Sequence, residues 1–258
     1  MQPLLVLWDV DYTLVATNGV GRELYEVVLA ELYGLPMPAG LQSMAGRTDS
    51  SIALEVLAAA GLGDPARELR RFQDGLVARA PDFADRVRET GRVLPGVEAA
   101  IGALADFAQR HRDGYLVVQS LLTGNLPALA EVKLGSLGLT NHLDVSVGAY
   151  GDISELRADL VPVARENASR RYGADFSGHA TVLIGDTPED VGAAASAGAR
   201  SVGVATGRFT MQQLIDAGAG VVLPDLTDTE AVLGAVLGYP PANAVAAADE
   251  TPTNGAAG

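Results

Sequence analysis

Four short apolar runs, each stopping at small or polar residues, constrain the fold of this chain more than any other feature. Leu4-Leu5-Val6-Leu7-Trp8 ends in Asp9-Val10-Asp11. Tyr115-Leu116-Val117-Val118 leads through Leu121-Leu122 into Thr123-Gly124-Asn125. Thr181-Val182-Leu183-Ile184 runs into Gly185-Asp186-Thr187, and Ser201-Val202-Gly203-Val204 into Ala205-Thr206-Gly207. A continuous apolar run of this length suits a strand buried on both faces of a parallel sheet. Val145–Val147 and Val221–Leu223 are weaker strand candidates. Helical spacing of apolar residues predicts helices over 97–111, 126–137, 156–172, 188–197 and 229–237. Strands alternating with helices predict an α/β, doubly wound parallel sheet. In such sheets the ligand sits beyond the carboxyl ends of the strands.

Residues 16–94 break this rhythm. They contain no convincing strand but several helical patterns, over 21–33, 50–60, 65–80 and 81–89. We read them as a helical domain inserted after the first strand. The sheet domain then comprises 1–15 and 95–239, resuming at Pro95-Gly96. From Pro240 onward there is no aromatic residue and no periodic pattern, so 240–258 are expected to be disordered.

The chain has 258 residues, enough for a sizeable core. Cys is 0, which excludes a disulfide scaffold, a thiolate metal site and a cysteine nucleophile. The net charge of -14 argues against nucleic acid or an anionic membrane as partner. The first apolar run lacks the basic start and the length of a signal peptide, and a cytoplasmic protein is expected.

Asp9 and Asp11 lie two residues apart at the end of a strand. Two buried carboxylates repel and lose solvation, and a bound divalent cation such as magnesium would compensate both effects. Taken alone, an Asp-x-Asp pair more often solvates a turn or caps a helix than binds a metal. Asp186 follows another buried run, one step too early to cap the helix that Thr187-Pro188-Glu189-Asp190 begins. It would supply a third carboxylate from a separate strand end. Thr123 either caps a helix or, with the N–H groups of Gly124 and Asn125, binds a phosphate oxygen. Lys133 is the lone lysine among 18 basic residues. A compact ammonium suits a tight site beside carboxylates and phosphate better than a guanidinium does.

Together, Asp9-Val10-Asp11-Tyr12-Thr13-Leu14, Thr123-Gly124-Asn125, Lys133 and Gly185-Asp186-Thr187-Pro188-Glu189-Asp190 resemble the haloacid dehalogenase superfamily, in its order and at its strand ends. Members similar to phosphoglycolate phosphatase resemble the chain most. The resemblance implies a Rossmann-like core with an α-helical cap, here residues 16–94. It implies a magnesium-dependent phosphatase acting on a small phosphorylated metabolite through an aspartyl-phosphate. Asp9 would be the nucleophile, and Asp11 the general acid and base, its backbone carbonyl also on the metal. Asp186 would be a further metal ligand, and Thr123 and Lys133 would hold the phosphoryl oxygens. Asp190 would orient Lys133 or a metal-bound water. Dehalogenases of the superfamily lack the second aspartate, so Asp11 favours phosphate chemistry. The superfamily usually has Gly where this chain has Tyr12, which bears on the conformation of that loop. Arg47, in the polar segment Met44-Ala45-Gly46-Arg47-Thr48-Asp49, is expected to reach the leaving group or a second anionic group. A phosphomutase of the same superfamily and a non-catalytic module binding a phosphorylated ligand are the competing readings.

Overall fold

The computed structural model describes residues 1–239 and the pair Val245–Ala246. One sheet has the order β4-β1-β5-β6-β7-β8, with β1 (Gln2–Trp8), β4 (Tyr115–Leu121), β5 (Thr181–Gly185), β6 (Arg200–Val204) and β7 (Val221–Leu223) all parallel. Only β8 (Val245–Ala246) is antiparallel, on β7. The expected doubly wound α/β sheet is therefore present. The two faces of β1 show why: Leu4, Val6 and Trp8 join one buried cluster, and Leu5 and Leu7 join another. Alternate side chains of one strand feed two cores, which only a sheet covered by helices on both sides provides. The Trp8 indole N–H inside the first core is satisfied by Gln119 Oε1 at 3.2 Å.

Helices α5 (Val97–Arg110), α6 (Pro127–Ser136), α7 (Leu160–Tyr172), α8 (Pro188–Ser196), α9 (Met211–Asp216) and α10 (Thr229–Leu237) link the strands. The α8 start is a capping box: Thr187 accepts from the Asp190 N–H, Asp190 accepts in return, and Pro188 fills the first turn.

Residues 20–90 form α1 (Val20–Tyr33), α2 (Asp49–Ala59), α3 (Pro65–Arg79) and α4 (Ala84–Thr90). They have their own apolar cluster around Tyr25, Phe72 and Leu76, which Leu126 and Leu129 join from α6. Where the chain leaves and re-enters the sheet domain, β2 (Val15–Ala16) pairs antiparallel with β3 (Arg92–Val93). Those two-residue strands are too short to show a period in the sequence.

Three expectations need correction. Val145–Val147 is a 3-10 turn, not a strand: Asp144 accepts the Ser146 N–H at 3.1 Å and turns the chain, leaving Val145 exposed. Helix α7 starts at Leu160, preceded by a separate turn over Arg157–Asp159. Within the tail, Val245–Ala246 is a strand, and the rest of 240–258 lies outside the described residues. Among the described residues, no helix is long and apolar enough to cross a membrane.

Candidate functional site

Strand register builds the site. Trp8 lies level with Leu121 on one side and Ile184 on the other. The Asp9 N–H donates to the Ile184 carbonyl at 2.9 Å, and the Leu122 N–H to the Trp8 carbonyl at 2.9 Å. One residue further along each strand the ladder ends. Asp9, Thr123 and Asp186 therefore emerge together at the carboxyl ends of three adjacent strands. They line a cavity of about 520 Å³ with Asp11, Gly124, Asn125, Lys133 and Arg47. Asp190 stands behind it at the start of α8.

Asp9, Asp186 and Asp190 are all buried, and one carboxylate oxygen from each lies within 4.8 Å of the others. Arg157 is their cation. Its Nη2 lies 2.5 Å from Asp9 Oδ1 and 2.6 Å from Asp190 Oδ1, and also donates to the Leu122 carbonyl at 3.1 Å. Asp190 thus pairs with Arg157; of its two expected roles, orienting Lys133 or a metal-bound water, a contact with Lys133 is not made. Asp186 has no cationic partner among the described residues; its one side-chain hydrogen bond is a long 3.5 Å contact from the Thr13 hydroxyl. Its other oxygen faces Gly207, where a Cβ would fall 1.8 Å away.

Arg157 is a residue of this candidate site that sequence reasoning missed. Arg157, Leu160, Val161, Ala164 and Ala168 are buried at helical spacing. A guanidinium in that apolar stripe is the available signal, because Arg is almost never fully buried unless paired.

Electrostatics follow from burial. Desolvation pushes the Asp186 carboxyl up to about 9, reinforced by Asp9 and Asp190. Desolvation pushes Asp9 up to about 7; Arg157 opposes the shift, while Asp190 and Asp11 add to it. Burial works against the charge on Arg157, yet Asp190 and Asp9 hold its pKa above the ordinary value.

Asp11 is different. Its side chain is 36% exposed, and both oxygens accept from Lys133 Nζ, at 2.7 and 2.6 Å. Lys133 also donates to Asn125 Oδ1 at 2.6 Å, and Asn125 Nδ2 donates to Asp11 Oδ2 at 2.8 Å and Thr123 Oγ1 at 2.7 Å. Lys133 thus lines the cavity while holding Asp11. Tyr12 follows with φ 60, in the left-handed region that glycine fills without strain. Its N–H donates to the Val15 carbonyl at 2.7 Å, and its carbonyl accepts from the Thr206 hydroxyl at 2.5 Å. Arg47 lines the cavity too, but its guanidinium is bound to Glu55 and Ser51 of α2, the helix that follows it.

Around Asp9, four carboxylates (Asp9, Asp11, Asp186, Asp190) face two cations (Arg157, Lys133). With all four ionised, two negative charges are left over, and a divalent cation on Asp9, Asp186 and Asp190 would match them in place of the protons that burial otherwise holds on Asp9 and Asp186. Oxygen donors alone suit a hard cation of the magnesium kind.

Comparison with known proteins agrees with this geometry. Residues 158–229 match the family model described as HAD-hydrolase-like. Among curated proteins, none matches the sequence. A structure provisionally described as a beta-phosphoglucomutase from Thermotoga maritima is 23% identical with a TM-score of 0.54, covering 89% of this chain and 98% of that one. A protein described as a predicted phosphatase from Clostridium acetobutylicum is 16% identical, TM-score 0.63, covering 90% and 99%. CbbY from Rhodobacter sphaeroides, solved in complex with phosphate, is 19% identical, TM-score 0.62, covering 88% and 96%. These structures share the fold of this chain, and the HAD-hydrolase-like family match extends over residues 158–229.

Proposed function

We propose that this protein is a magnesium-dependent phosphatase that hydrolyses a small phosphomonoester through a phosphorylated Asp9. The observation that carries the reading is the buried trio Asp9, Asp186 and Asp190 with its unmatched negative charge. Asp9, Asp186 and the Asp11 backbone carbonyl, with Asp190, would hold the cation. When bound, it supplies charge compensation to the transferring phosphoryl group.

Asp9 Oδ attacks phosphorus and the bond from phosphorus to the ester oxygen breaks. Asp11 gives the departing alkoxide its proton. Asp11 then takes a proton from water, which attacks the aspartyl-phosphate and releases inorganic phosphate. Arg157, Thr123 and the N–H groups of Gly124 and Asn125 would bind the phosphoryl oxygens. Lys133 keeps Asp11 aimed at the ester oxygen. Residues 16–94 act as the cap. Arg47 and Arg22 line the same cavity but pair with Glu55 and Glu26; Arg208, also in the lining, has no carboxylate partner among the described residues, which suits a leaving group with a second anionic group.

Similarity to the Thermotoga protein favours a phosphomutase as second reading. The lifetime of the phospho-enzyme separates them, since a mutase shields it from water. The first test is a panel of small phosphate esters with magnesium and with EDTA. Metal-dependent phosphate release is expected. A panel with no turnover in either condition would contradict the proposal.

A further inference from the structure

Asp49 is a third buried carboxylate lining this cavity, beside Asp9 and Asp186, and the chemistry above does not use it. It stands in the first turn of α2, where an acid ordinarily meets its own helix dipole. Its carboxylate instead reaches another helix. Oδ2 accepts the Leu126 N–H at 2.7 Å, and Oδ1 accepts the Tyr25 hydroxyl at 2.8 Å. Its own N–H donates to the Gly124 carbonyl at 2.6 Å. Asp49 thus grips the Thr123–Asn125 loop on both sides, through the carbonyl inside it and the N–H just after it.

The surroundings are built for that grip. Leu126 is the N-cap residue of α6 and has no side chain able to cap it. In a capping box the side chain three residues on accepts the N–H of the N-cap residue, but that residue here is Leu129. The oxygen that accepts the Leu126 N–H comes instead from a residue 77 positions away. A Cβ on Gly124 would lie 1.9 Å from the Arg47 carbonyl, and one on Gly151 would lie 1.7 Å from the Gly124 carbonyl and 2.9 Å from the Asp49 N–H. Next door, the Ser50 N–H and hydroxyl both donate to the Gly151 carbonyl, at 3.1 and 2.6 Å. Loop and helix start are in backbone contact with no room for side chains.

We infer that Asp49 is a positioning residue that couples seating of the helical insert to the shape of the Thr123–Asn125 loop. With 47–50 seated, Gly124 and Leu126 are pinned, so the Asn125 and Lys133 contacts to Asp11 are held in register. With 47–50 withdrawn, the Leu126 N–H and the Gly124 carbonyl lose these partners and the loop relaxes. The inference rests on the phosphatase reading for its catalytic consequence, but the coupling itself is measurable without turnover.

The test compares Asp49→Ala and Asp49→Asn in the full chain. Asn keeps an oxygen for the Leu126 N–H and an amide that the Tyr25 oxygen can accept; Ala keeps neither. Hydrogen exchange should show loss of protection at the Asn125 and Leu126 amides in Asp49→Ala and near-normal protection in Asp49→Asn. With p-nitrophenyl phosphate and magnesium, Asp49→Ala should lose about 10- to 100-fold in kcat with KM little changed, the size expected for losing a charge-assisted hydrogen bond. Asp49→Asn should recover most of that loss. Unchanged exchange at these amides in Asp49→Ala would overturn the inference, as would an Asn variant no better than Ala. Should Asp49→Ala fail to fold, Tyr25→Phe frees only one of the two bonds and should give the same pattern in smaller degree. Its absence would likewise overturn the coupling. Inactivity of the wild-type protein would strike the phosphatase reading alone, leaving the exchange result to decide on Asp49.

Discussion

Asp9 and Asp11 stand two residues apart and live in opposite environments. Asp9 is 5% exposed and shares one guanidinium with Asp190, while Asp186 beside it has no cation among the described residues. Asp11 is partly open to the cavity and has an ammonium to itself, on both oxygens. Buried charge without enough countercharge marks where a cation belongs. An open carboxylate held at a fixed angle suits a group that must hand a proton to a leaving group and take one back from water. On the proposed mechanism, one short turn after β1 separates covalent chemistry from proton transfer.

The largest effect that can break this contrast is at Asp9. Asp9→Asn keeps the shape and removes the nucleophile, and turnover should fall more than about 1,000-fold. Substantial activity in that variant would refute the assignment. Asp11→Asn sharpens the contrast through the leaving group. An alkyl phosphate needs a proton on its departing oxygen and should lose about 100-fold or more. p-Nitrophenolate leaves as an anion, so the loss on its ester should be much smaller. Equal losses on both substrates would show that Asp11 is not the acid.

Stability against pH reads the buried side directly. In EDTA, the folded protein holds protons on Asp9 and Asp186 up to about 7 and about 9, whereas the unfolded chain releases both near 3.8. Between those limits the folded state binds more protons, so stability rises as pH falls and is lost as pH climbs toward 9. The melting temperature in EDTA should therefore drop from pH 6 to pH 9, less so in Asp186→Asn. A flat profile in the wild type would contradict the burial argument.

The smallest effect concerns the turn that follows the two aspartates. Tyr12→Gly relieves a left-handed non-glycine residue, at the cost of a more flexible unfolded chain, and should stabilise the protein by about 0.5–1 kcal/mol. Thermal unfolding checks the sign; a net loss would mean that the Tyr12 ring packs usefully.

Much of this was legible in the sequence because parallel strands announce their ends. Asp9, Asp11, Thr123 and Asp186 each follow a buried apolar run, and register alone brings Asp9, Thr123 and Asp186 together. Lys133 stood out through composition. Arg157 stayed hidden because a single charge in an apolar helical stripe resembles a helix surface until its partners, from β1 and α8, are known. Asp49 left no trace either: beside Thr48 it reads as an ordinary helix start, and its partners lie in α1 and before α6. The alternation in Val145–Val147 suggested a strand because the turn made by Asp144 outweighs a three-residue pattern.

Calorimetric titration of the metal-free protein with magnesium at pH 7.5, in buffers of different ionisation enthalpy, tests the central claim most directly. The unmatched charge around Asp9 predicts saturable binding of one ion per chain, accompanied by release of about one proton as Asp186 and part of Asp9 ionise. Absence of saturable binding into the millimolar range, or binding unaltered in an Asp186→Asn variant, would contradict it.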